Sequence, residues 1–138
     1  MIGLDTNVLA RYYIDDAGDA EAQHQRLAAR SLIESGHPLM LCKTVLLELE
    51  WVMRGYYGFS PDQTLSVLRH LLEMTHVTVE DRAIVEQAIS SCGAGLDFAD
   101  ALHHASYRTF RSIASFDDKR FGRRAKKLAL APPVLVPK

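Results

Sequence analysis

The order of apolar and polar residues along the chain predicts short strands alternating with helices. Met1-Ile2-Gly3-Leu4 is an apolar run that stops at Asp5, the pattern of a short buried strand. Asp5-Thr6-Asn7 then reads as a helix start, because short polar side chains accept hydrogen bonds from the unpaired N–H groups there, and Val8 to Tyr13 continues it. A loop over Asp15 to Asp19 leads into a helix over Ala17 to Ser35, rich in Ala, Glu, Gln, Arg and Leu, which Gly36-His37-Pro38 ends. Leu39 to Cys42 is a second strand. Thr44 to Tyr57 predicts a helix with Leu47 and Trp51 on its apolar face and an end loosened by Gly55 and Gly58. Ser60-Pro61 starts the next helix, as cap and first turn, and Leu65, Leu68, Leu71 and Leu72 form its stripe. Val77 to Val79 alternates as a third strand. Helices over Asp81 to Ser91 and Asp97 to Thr109 flank a break at Cys92-Gly93-Ala94-Gly95. Ser112 to Ser115 is a fourth strand, Phe121 to Leu128 a short basic helix, and Val134 to Val136 a last strand.

Such alternation implies an α/β domain with a mostly parallel sheet, and 138 residues fit one domain, 1–138. A chain of this length buries enough surface to fold without a disulfide or metal staple. Cys42 and Cys92 lack the short spacing of a zinc or redox motif and read as reduced thiols of a cytoplasmic protein. No apolar run approaches the roughly 20 residues of a membrane span, and Asp5 interrupts the first apolar run too early for a signal peptide. The net charge of −1 argues against nucleic acid, but it conceals an asymmetry. Residues 1–98 carry 7 Lys/Arg against 14 Asp/Glu, and residues 99–138 carry 9 against 3. A basic C-terminal third on an acidic body provides a local footprint for phosphates.

In open α/β sheets, ligands bind beyond the carboxyl ends of the strands. Asp5 follows strand one, Glu48 lies in the helix after strand two, Asp97 and Asp100 open a later helix three residues apart, and Asp117 follows strand four. Converging carboxylates repel unless a cation neutralises them, and an all-oxygen donor set suits magnesium or manganese. A hydrated ion held this way activates water and stabilises charge on a phosphoryl group. Thr6 and Asn7 place a hydroxyl and an amide beside Asp5. Each acid also has a plain reading: Asp5 and Asp97 as caps, Glu48 as a solvated helix acid like Glu50, Asp117 and Asp118 as turn residues.

Four stretches in order, MIGLDTNVLARYY, LLELEWVM, DFADALHHA and ASFDDKRFGRRAKKL, resemble the PIN-domain family, specifically the VapC-type toxins of toxin–antitoxin pairs. The likeness runs from residue 1 to about residue 136. The resemblance implies a three-layer domain with a central parallel sheet of about five strands flanked by helices. It implies a magnesium- or manganese-dependent endoribonuclease whose catalytic acids are Asp5, Glu48, Asp100 and Asp117, with Asp5, Asp100 and Asp117 holding the metal. Thr6 corresponds to the polar residue after the first acid, and Ser115 stands where the family often has Thr. The stretch Asp117 to Phe121 is one residue longer than the commonest form, so Asp117 or Asp118 faces the metal, with Asp117 favoured. A homodimer and a small antitoxin that blocks the site follow from the same resemblance.

Arg11, Arg120, Arg123 and Arg124 are candidates for contact with RNA phosphates, against the plain reading of a solvated helix face. The six histidines read as surface or packing residues, although His103 or His104 falls close to Asp100. Tyr12, Tyr13, Trp51, Tyr56, Tyr57 and Phe59 serve the core, an interface or base stacking. A second reading is a catalytically silent PIN-like module that binds RNA or protein. A haloacid-dehalogenase-type phosphohydrolase fits poorly, since that chemistry wants a second Asp where Asn7 stands.

Overall fold

Helices follow strands in the order that the hydrophobic pattern predicts, and the computed structural model describes all of residues 1–138, arranged as two compact units, 1–81 and 82–138. In the first unit β1 (Ile2–Gly3) pairs in parallel with β2 (Leu39–Leu41), which pairs in parallel with β3 (Val77–Val79). Leu39 lies opposite Ile2 on one side and Val77 on the other. Alternation decides which residues face the core: Leu39, Leu41, Val77 and Val79 are buried, while Thr78 is exposed. Parallel neighbours require crossovers. The first is made by α1 (Thr6–Tyr13) and α2 (Ala20–Ile33), the second by α3 (Lys43–Trp51) and α4 (Pro61–Glu73).

Local chemistry sets the helix ends. Asp19 caps α2 by accepting from the N–H groups of Glu21 and Ala22, so that helix starts three residues later than composition suggests. Ser60 and Gln63 form a reciprocal capping box at the start of α4, with Pro61 in the first turn. Between α3 and α4 the chain widens into a π-helical turn, Val52–Tyr56. The buried face of this segment is Leu46, Leu49, Glu50 and Met53. Trp51, expected on the apolar face, is 59% exposed, and Leu47 is half-buried. Glu50, read as a solvated acid, is buried and pairs with Arg54 Nε at 2.8 Å. The one-turn spacing explains this: the chain stays helical long enough for residue 54 to reach back over residue 50.

In the second unit α5 (Arg82–Gly93) packs on α6 (Phe98–Ser106) through Val85, Ala88, Ile89, Phe98, Ala101 and Ala105. β4 (Ile113–Ala114) pairs in parallel with β5 (Val134–Leu135). Between them a second π-helical turn, Asp118–Gly122, leads into α7 (Arg123–Lys127), anchored by buried Phe121 and Ala125. His104 is buried and its Nε2 donates to the carbonyl of Pro132 at 2.9 Å, a packing role.

The α/β class and the parallel pairing agree with the sequence. Five strands are present, but they pair as a three-stranded sheet and a separate two-stranded ladder, not as one sheet of about five. Each strand is only two or three residues long, so it forms few ladder hydrogen bonds of its own. Cys42 and Cys92 are not joined by a disulfide. No helix is long and apolar enough to cross a membrane.

Candidate metal centre

Asp5 lies one residue beyond Leu4, whose N–H still bonds to Met40 O at 3.0 Å, so the carboxylate stands at the carboxyl end of β1. It occupies the N-cap of α1 in extended conformation, and its Oδ1 accepts from the Thr6 N–H at 2.9 Å. This bond uses one oxygen; the other has no protein partner. Asp5 is therefore a cap and a potential ligand at once. Glu48, exposed on α3, lines the same cleft, about 270 Å³ in volume, together with Thr6, Asn7, Arg11, Val52 and Tyr57. Glu48 engages no hydrogen bond or ion pair. Thr6 is buried and its hydroxyl has no partner, an uncommon state for a buried polar group. Arg11 is steadied by its Nε–H, which donates to Gln25 Oε1 at 2.8 Å.

The second unit carries its own acidic cluster. Asp100 lies in the first turn of α6, half-buried. Burial pushes its pKa up, and the negative charges of Asp97 and Asp117 push it further, while His103 and Arg124 act the other way. Asp97 occupies the N-cap position of α6 but makes no capping bond, so its carboxylate is not committed to the helix. Asp117 is fixed by three bonds. Its N–H donates to Ser115 Oγ at 3.0 Å, its Oδ1 accepts from the Arg120 N–H at 2.9 Å, and its carbonyl accepts from the Gly122 N–H at 2.8 Å. Asp118 turns to a different groove, lined by Arg123, Lys126 and Leu130. Arg120, Arg123 and Arg124 are exposed.

The structure thus groups Asp5, Glu48, Thr6, Asn7 and Arg11 in one unit, and Asp100, Asp117, Ser115 and Arg124 in the other. Within either unit, no three acid, His or Cys side chains converge into a complete protein cage. In the sequence Asp97 reads as a cap and His103 as a surface or packing residue, yet both charges act on Asp100. Their spacing from Asp100, three residues on either side, was the available signal, since residues three apart share a helix face. Each cluster by itself offers oxygen donors of the kind a hard divalent ion takes: the Asp5 and Glu48 carboxylates and the orphaned Thr6 hydroxyl in one unit, the Asp97, Asp100 and Asp117 carboxylates in the other. Magnesium in particular takes one or two carboxylates and keeps several waters.

Carboxylates placed just after parallel strands are common to both units of this α/β protein. The chain belongs to the PIN domain family, whose model matches residues 2–127. PIN domains have a nuclease fold and are generally metal-dependent nucleases. No curated protein matches the chain significantly.

Proposed function

We propose that this protein is a magnesium- or manganese-dependent endoribonuclease, the toxin of a toxin–antitoxin pair, acting in the cytoplasm as a homodimer with residues 1–138 serving as one PIN-like domain. The observation that carries the reading is the cleft at the carboxyl end of β1, where Asp5, Glu48 and the orphaned Thr6 hydroxyl meet, in a chain that the PIN domain model matches over residues 2–127. In this reading Asp5, Glu48, Asp100 and Asp117 are the catalytic acids, and Asp5, Asp100 and Asp117 hold the metal. A bound ion would supply Lewis acidity, lowering the pKa of a water and offsetting phosphate charge. The chain's own part is to position and to move protons. Asp5 Oδ1 accepts from the Thr6 N–H and Asp117 Oδ1 from the Arg120 N–H, so both carboxylates are oriented before substrate arrives. Glu48, exposed and without a partner, is the acid best placed to accept a proton from water. Arg11, Arg120, Arg123 and Arg124 contact RNA phosphates. The antitoxin would block the acids, for instance by presenting an Arg or Lys to them.

The direct test is RNA cleavage by the purified chain in magnesium, manganese or EDTA. Cleavage that persists in EDTA or survives Asp5→Ala sinks the mechanism. The toxin role is tested by expression in cells, where growth should stop, and should resume when a small antitoxin that binds the chain is co-expressed.

A further inference from the structure

We propose that Tyr57, braced by Tyr56, is a substrate-positioning residue that stacks on a nucleobase of single-stranded RNA beside the Asp5–Glu48 cleft. The proposal deepens the nuclease reading and rests on it. Its basis is the π-helical turn Val52–Tyr56. The Tyr57 N–H bonds back to Val52 O at 3.1 Å, five residues away, and the Phe59 N–H to Met53 O at 2.9 Å. A wide turn of this kind is uncommon and occurs often at functional sites, because one extra residue re-aims the side chains that follow. Here the residue re-aimed is Tyr57, which lines the cleft with Asp5 and Glu48. Its ring meets that of Tyr56 edge-to-face, with centroids 4.8 Å apart and planes at 74°. Tyr56 itself is 75% exposed.

Two adjacent tyrosines whose hydroxyls engage no partner do not make a core, where a buried Tyr normally finds one. Beside acids suited to a phosphodiester, their chemistry matches an unstacked base. Single-stranded RNA presents such bases, and aromatic faces accept them with little sequence preference.

The test measures binding of a short labelled oligoribonucleotide by fluorescence anisotropy in EDTA, and KM and kcat in manganese. Variants are Tyr57→Ala, Tyr57→Leu, Tyr57→Phe and Tyr57→Trp, each checked by thermal melting. Ala and Leu should weaken binding and raise KM roughly tenfold or more, with kcat less affected, while Phe and Trp retain both. A series of oligonucleotides with one abasic residue adds a decisive arm. At one position, loss of the base should weaken native binding and erase the difference between native and Tyr57→Ala. Undiminished RNA binding by Tyr57→Ala and Tyr57→Leu, or equal losses at every abasic position, overturns the platform and leaves the tyrosine pair to a protein partner. A native chain that neither binds nor cleaves RNA overturns the nuclease reading together with it.

Discussion

Asp100 holds its proton more tightly in the folded chain than an unfolded aspartate does, because it is half-buried among like charges. The sign of the consequence follows. Where the folded pKa is raised, this group's contribution to stability is greatest at low pH and falls as pH rises from the ordinary Asp range through the raised value. At neutral pH Asp100 therefore costs stability unless a cation neutralises it. We expect Asp100→Asn, without metal at pH 7, to melt at or above the native temperature. Added manganese should raise the native melting temperature and leave that of the variant unchanged. RNA cleavage should drop by more than the roughly 10–100-fold lost when a ligand's outer partner is removed. Melting curves and initial rates check all three. A second contrast concerns two ion pairs of equal length. Arg54–Glu50 and Arg82–Glu86 are both 2.8 Å, but Glu50 is 7% exposed and Glu86 52%. Arg54→Ala strands a buried carboxylate and should cost about 1–3 kcal/mol. Arg82→Ala should cost about 0.5 kcal/mol or less. Urea midpoints distinguish them.

Among elements, the two π-helical turns adjoin proposed site residues, Tyr57 directly after the first and Asp117 directly before the second. Gly122 closes the second, and a Cβ there would stand 3.1 Å from the carbonyl oxygen of Asp117. Backbone gives way poorly, so Gly122→Ala should destabilise by about 1 kcal/mol and shift Asp117. The activity loss should exceed the stability loss, as measured by cleavage rate against denaturation midpoint. Ser60→Ala removes one arm of the capping box and should cost about 1 kcal/mol with no effect on cleavage. These elements also show what was legible in the sequence. The caps at Asp5 and Ser60 and the leucine stripe of α4 depend on local chemistry, and the residues state it directly. The π-helical turns do not: residues 52–56 and 118–122 read as ordinary helix or loop, because no local residue pattern marks a widened turn. Nor does the residue pattern of α3 mark the exposure of Trp51 or the burial of Glu50. The placement of Asp5 and Asp117 just after strands was readable from the residue pattern, while the joining of the four acids into one site is what the family likeness implies. The commitment of each oxygen, as at Asp5 and Asp117, needed coordinates.

At the scale of the molecule, charge is divided unequally. Residues 1–81 hold 6 Lys/Arg against 12 Asp/Glu, and residues 82–138 hold 10 against 5. A basic half that contacts phosphates makes RNA affinity fall with salt, by a slope of about 0.7 per neutralised phosphate on a single strand. Replacing Arg120, Arg123 and Arg124 by Ala should weaken binding to all sequences alike and flatten that slope, which a salt titration of affinity reads directly. Each unit is also one contiguous block of sequence, so the chain passes between them once, at exposed Asp81 and Arg82. That single passage has a genetic consequence. A gene divided there yields two fragments, one encoding Asp5 and Glu48 and the other Asp100 and Asp117. Neither carries all four of the proposed acids, so on the proposed nuclease reading neither half alone should cleave RNA, and expressing the halves separately and together tests that requirement.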